Sequence, residues 1–215
     1  MFLVPKPSLF RRALRLAAMS VAFALPALAA DPAPTDAQSR FEVDYLTDLI
    51  DHHQAAVEMA QLVEERTERP ELREFATTLA TAQEKEITAM QGWLEEWYGE
   101  THEPELDRRA ERQLATLEEL EGDEFEQAFL RGMSLHHADA LAMGKDALLQ
   151  AWHSDLIDQA RTMIALQADE IALMRGWLSE WHDINEVTSR DRPDNRTWQG
   201  TAGRRIPIPV TPGGP

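Results

Sequence analysis

The chain repeats itself. Residues 41–98 align without a gap on residues 125–182 at a constant offset of 84, and 19 of the 58 pairs are identical, so whatever one copy forms the other must form too. The identities cluster. His52-His53 matches His136-His137, Met59 matches Met143, Gln83 matches Gln167, and Glu86-Ile87 matches Glu170-Ile171. Met90, Trp93, Leu94 and Trp97 match Met174, Trp177, Leu178 and Trp181.

Each copy reads as a helical hairpin. Phe41, Tyr45, Leu49, His52, Ala56, Met59 and Val63 recur three or four apart, which is one face of a helix. Glu65 to Pro70 breaks that face, and Pro70 suits the start of the next helix. Leu72, Leu79, Gln83, Glu86, Met90, Trp93 and Trp97 make the second face, and Gly99 ends it. The second copy turns at Trp152-His153-Ser154. Between the copies, 104–121 reads as a short connecting helix with Leu106, Ala110, Leu114, Leu117 and Leu120 on one side. No segment alternates like a strand. The expectation is an all-α protein whose two tandem hairpins, 41–98 and 125–182, pack as one four-helix bundle over 39–183.

The flanks read differently. Lys6, Arg11, Arg12 and Arg15 precede or open an apolar run that ends at Leu28, and Ala27-Leu28-Ala29 offers a small-residue cleavage site. Residues 1–30 therefore read as a signal peptide, cut near Ala29 or Ala30, with the rest periplasmic or secreted. Residues 31–38 read as a flexible leader, and 184–215 as a Pro-, Gly- and Arg-rich disordered tail. Cleavage would remove four basic residues and take the net charge from -17 to -21. Such a surface repels nucleic acid and anionic lipid. With no cysteine in the chain, soft-metal chemistry falls to Met and His, and no cysteine-linked lipid anchor is possible.

Helix geometry groups the candidate ligands. Met59 lies seven residues after His52, two turns along one face. Folding each hairpin at its turn brings His52 and His53 level with Glu86, and His136 level with Glu170. Imidazole with thioether suits Cu(I), Ag(I) or Cu(II) better than Mg or Ca. The expected ligands are His52, His53, Met59 and Met90 in one hairpin and His136, His137, Met143 and Met174 in the other. Gln83, Glu86, Gln167 and Glu170 are expected to support them by hydrogen bonding, the glutamates accepting a histidine ring N–H. Two sites are expected, one per hairpin. The Trp pairs read as core, Gly92 and Gly176 as points of close helix packing, Asp48 and Asp51 as a solvated face, and His102, His153 and His182 as surface residues.

Other chemistries find no support. No histidine has Asp or Glu three residues before it, as a carboxylate-bridged di-iron bundle requires, and H-E-x-x-H and Gly-rich phosphate loops are absent. No catalytic motif is found, so a binding protein is expected rather than an enzyme. The competing reading is a metal-free interaction module that docks a partner through its Trp-rich faces.

These motifs resemble a bacterial family catalogued as domain of unknown function 305. Its pattern is a Met three residues before a His-His pair, a Met six after the pair, then Gln-x2-Glu-Ile-x2-Met-x2-Trp-Leu. The second copy fits throughout, and the first departs only at Leu49. The resemblance covers about 41–182, as two tandem copies of the motif. It implies an exported, ferritin-like helical bundle associated with copper, with silver as a possible alternative. The Met and His positions, Met133 among them, would be its ligands, the first site would be the weaker because Leu49 stands where the second copy has Met133, and a periplasmic copper-handling protein would be a partner.

Overall fold

A computed structural model describes residues 31–187. The signal-peptide reading and most of the predicted tail lie outside these residues. The described chain contains α1 (Asp36–Gln61), the short α2 (Val63–Arg66), α3 (Pro70–Trp93), α4 (Arg108–Glu118), α5 (Gly122–Gln150) and α6 (Ser154–His182). A π-helical turn, Leu94–Tyr98, extends α3. Among the described residues there is no strand, and no helix is long and apolar enough to cross a membrane.

Local chemistry sets the helix ends. Thr35 accepts the Gln38 amide and starts α1 at Asp36, several residues before the apolar face begins. Pro70 occupies the first turn of α3, as read from the sequence. Asp107 caps α4 by accepting the Arg109 and Ala110 amides, so the connecting helix is shorter than 104–121. Gly99 closes the first hairpin at φ 66°, and Asp183, its repeat equivalent, closes the second at φ 55°. The leader is not loose: Ala33 is buried, and its carbonyl accepts the Ser39 hydroxyl. Ile184 and Val187, at the start of the predicted tail, pack on the core.

α1 pairs with α3 and α5 pairs with α6; the two hairpins then meet mainly through α1 and α5. Those two helices run antiparallel. Glu42 near the start of α1 meets His153 just after α5, and Thr67 just after α2 meets Glu126 at the start of α5. α4 lies across both α1 and α5, with Leu114 and Leu117 in the core. The Trp pairs stack in or against the interior, Trp93 on Trp97 and Trp177 on Trp181, with Trp97 and Trp177 buried. Trp93 and Trp181 are half-buried at the edge of these stacks. Gly92 is not a packing point, since a Cβ there would meet nothing within 4 Å. The close approach is at Gly144, where a Cβ would stand 2.9 Å from Met163 and Ile164 of α6.

Both ends of the bundle carry the same buried latch. At one end Glu42 accepts the Trp152 and His153 amides, the His153 ring and the Tyr98 hydroxyl, while the His153 ring stacks on Trp97 at 3.8 Å. At the other, Glu126 accepts Arg69 Nε at 2.7 Å and the Thr67 hydroxyl, while Arg69 lies over Trp181 at 4.4 Å. Glu42 and Glu126 are repeat equivalents, as are His153 and Arg69. Each hairpin's glutamate thus holds the other hairpin's turn. His153 and His182 are therefore not surface residues: His153 sits inside one latch, and His182 Nε2 lies 3.2 Å from Glu126 in the other with a side chain 2% exposed. Asp51 is likewise not merely solvated, for it accepts His102 Nε2 and the Glu105 amide and so ties down the connection.

Burial alone would raise the Glu42 carboxyl, but its hydrogen bonds from Tyr98, His153 and Trp152 outweigh that and hold it below its ordinary 4.5. Replacing Glu42 with Gln is expected to cost about 2–4 kcal/mol at pH 7, because it removes the charge that these buried donors face. A lowered folded value means the contribution is complete above the unfolded carboxylate range and is lost as pH falls through the folded value. Urea denaturation of wild type and Glu42→Gln should show the gap at pH 7 and its narrowing in acid.

Candidate metal centre

The repeat puts one His pair in the middle of α1 and one in the middle of α5. Where these antiparallel helices meet, the His52 and His136 rings lie face to face with centroids 3.6 Å apart. His53 and His137 flank them, each ring 6.3 Å from its neighbour in sequence. The expected separation into one site per hairpin is thus corrected. Four imidazoles form one cluster, because the pseudo-two-fold relating the hairpins passes between His52 and His136.

The outer rings are oriented by carboxylates. His53 Nε2 is 2.7 Å from Glu86 Oε2, and His137 Nε2 is 2.9 Å from Glu170 Oε2. An ionised carboxylate only accepts, so Nε2 donates in both rings and Nδ1 is left toward the interior. Among the described residues, His53 Nδ1, His137 Nδ1 and both nitrogens of His52 and His136 are buried without a hydrogen-bond partner. Six such atoms in one place is far outside normal practice, since buried polar groups are nearly always paired.

Charge reinforces the picture. Burial is the main cause that pushes His52 and His136 well below the ordinary histidine range. The neighbouring imidazoles and Arg109 push the same way, against a weaker backbone contact of His52 with His136. The central rings are neutral at neutral pH, which is the form that binds metals.

The sulfurs divide differently from the sequence expectation. Met133 and Met143 are ten residues apart on α5, about 15 Å along the helix, and belong to different buried clusters. Met59, Met133 and Met174 share one cluster, and Met90, Met143 and Met163 share the other. Each group draws on both hairpins. Met163 was missed because its repeat equivalent is Leu79, which gave no pattern to notice. It makes up, at that end, for the sulfur that Leu49 lacks, so each end of the His cluster has three buried methionines.

Gln83 and Gln167 are buried, and the Oε1 atom of each has no partner. Asp123, Glu126 and His182 bring a further set of ligand atoms within 4.8 Å of one another. Arg69 on Glu126 already supplies the positive charge there, so that group is an ion pair of the latch.

Comparison with known proteins follows this geometry. The family described as domain of unknown function (DUF305) matches residues 42–178. The chain belongs to this family. Its fold is similar to a DUF305 protein from Streptomyces coelicolor, assigned as secreted, at 27% identity and a TM-score of 0.58, covering 65% of this chain and 93% of that one. It is also similar to a DUF305 fragment from Deinococcus radiodurans, at 26% identity and a TM-score of 0.60, covering 70% and 99%. A third similar structure is CopM in its Cu(I)-bound form, at 25% identity and a TM-score of 0.59, covering 66% and 97%. CopM has also been solved with Cu(II) and with silver. No curated protein sequence matches the chain.

The tautomers are testable in the metal-free protein. Long-range 1H–15N spectra should show Nε2 protonated and Nδ1 bare in His53 and His137. Glu86→Leu should release that preference in His53 and leave His137 unchanged. An Nδ1–H pattern at His53 in the wild type would show that Glu86 is not its acceptor.

Proposed function

We propose that this chain is an exported protein that binds Cu(I) or Ag(I), and Cu(II) under oxidising conditions, to buffer, sequester or deliver the ion. The observation that carries this reading is the cluster of four buried imidazoles with six unpartnered nitrogens. Each neutral ring offers one lone-pair nitrogen, and four of these gathered in an apolar interior are costly unless something completes them, as a cation with borderline or soft preferences does. The two groups of three buried thioethers, one toward each end, fit the softer ions. The metal-bound forms of CopM support the same cargo. Export rests on the signal-peptide reading of residues 1–30 and on the Streptomyces relative assigned as secreted. A periplasmic copper-handling protein is the natural recipient. The role in this reading is binding of the ion and not turnover.

The pseudo-two-fold duplicates every donor except Met133 and Met163, which stand opposite Leu49 and Leu79, and this points to two ions per chain. Because the rings share one cluster, the two ions do not behave as independent hairpin sites. Anaerobic Cu(I) titration against a competing chelator should therefore show two equivalents in the wild type. His52→Ala should weaken both, on the order of 100-fold, and not just one of two. Loss of a single equivalent, with the other unchanged, would restore separate sites. No binding tighter than micromolar would sink the metal reading.

A further inference from the structure

The nitrogens of the His cluster are screened from solvent, so an ion needs a way in. The two sides of the cluster are not alike. On the α1–α5 side the connecting segment closes over it. Arg109 of α4 ion-pairs there with Asp139 of α5 at 3.2 Å. Packing there is tight: a Cβ at Gly132 would stand 2.5 Å from the Gln113 side chain of α4. A cation approaching from this side meets a closed ion pair and the packed face of α4.

The opposite side, between α3 and α6, is built the other way. These helices have little close backbone contact, and a crevice lies between them. It is lined by Leu79, Gln83, Glu86 and their repeat equivalents Met163, Gln167 and Glu170, with Ala82 and Leu166 beside them. It therefore straddles the pseudo-two-fold. Glu86 and Glu170 are partly exposed and hydrogen-bond directly to His53 and His137. Gln83 and Gln167 are nine-tenths buried, and each brings an unpartnered Oε1 to the same lining.

We propose that this crevice is the entry for the metal ion, with the carboxylates of Glu86 and Glu170 and the carboxamide oxygens of Gln83 and Gln167 as an oxygen-donor station outside the imidazoles. This rests on the metal-binding reading and assigns the route its cargo takes. The carboxylates attract the hydrated cation at the mouth. The Gln oxygens replace departing water as it moves inward, where unpartnered acceptors lower the cost of dehydration. Met163 offers the first sulfur along this route, before the nitrogens of the cluster.

Stopped-flow uptake of Ag(I) and chelator-driven release, with the affinity measured separately, test the route. Ala82→Phe narrows the mouth at a half-buried position, and Gln83→Leu/Gln167→Leu removes the oxygens while keeping the volume. In both variants uptake and release should slow together by about tenfold, with the dissociation constant changed less than threefold. Should the double Gln variant fail to melt cooperatively, Ala82→Phe carries the test alone. Unchanged rates in the folded variants overturn the route. A dissociation constant that rises in step with faster release also overturns it, because it makes these groups ordinary ligands. A wild type that takes up no Ag(I) or Cu(I) overturns the function itself, and does so before any variant is compared.

Discussion

The contact between His52 and His136 organises the molecule. Two neutral rings 3.6 Å apart, with four bare nitrogens between them, sit where an apolar core would ordinarily be filled with leucine. Such a centre lowers the stability of the free bundle, since each unpaired buried polar atom costs about 1–3 kcal/mol. The surrounding structure offsets that loss by packing: Leu46, Leu49, Ile50 and Met90 at one end, and Phe125, Phe129, Leu130 and Met174 at the other, are almost completely buried. Stability and binding capacity are thus drawn from different parts of the same helices.

Preorganisation follows from the same arrangement. His53 and His137 cannot turn freely, because Glu86 and Glu170 hold their outer nitrogens from across each hairpin. The hairpins cannot slide past each other either, because Glu42 and Glu126 fix the opposite turn at each end. The rings are therefore held in place before any ion arrives, and little ordering remains to oppose binding.

Within a hairpin the sequence was informative. Helical spacing placed the two faces, Pro70 and Gly99 marked a start and an end, and equal distances from the turn put the His pairs level with Glu86 and Glu170. What could not be read was how one hairpin faces the other. Nothing in a repeat states where its symmetry axis falls, and that axis decides that His52 meets His136, that Met133 joins Met59, and that Met143 joins Met90. His153 and His182 were misjudged for a related reason. They had no identical partner in the other copy, but they aligned with Arg69 and Tyr98, and the equivalence was of role: a planar group lying on a tryptophan at position 153, a group beside a buried glutamate at 182. Met163 was hidden by the same reliance on identity.

The paired latches have a consequence for the history of the chain. Because each glutamate is satisfied only by the other hairpin's turn, a lone hairpin would leave its own glutamate and half of the imidazole cluster without partners. Two copies of one hairpin, related by a two-fold axis, would satisfy both. The protein is thus a homodimer written as a single polypeptide. Because the halves are joined they need not be identical: Met163 brings a sulfur to the end where Leu49 has none, and His153 stacks on Trp97 where Arg69 lies over Trp181.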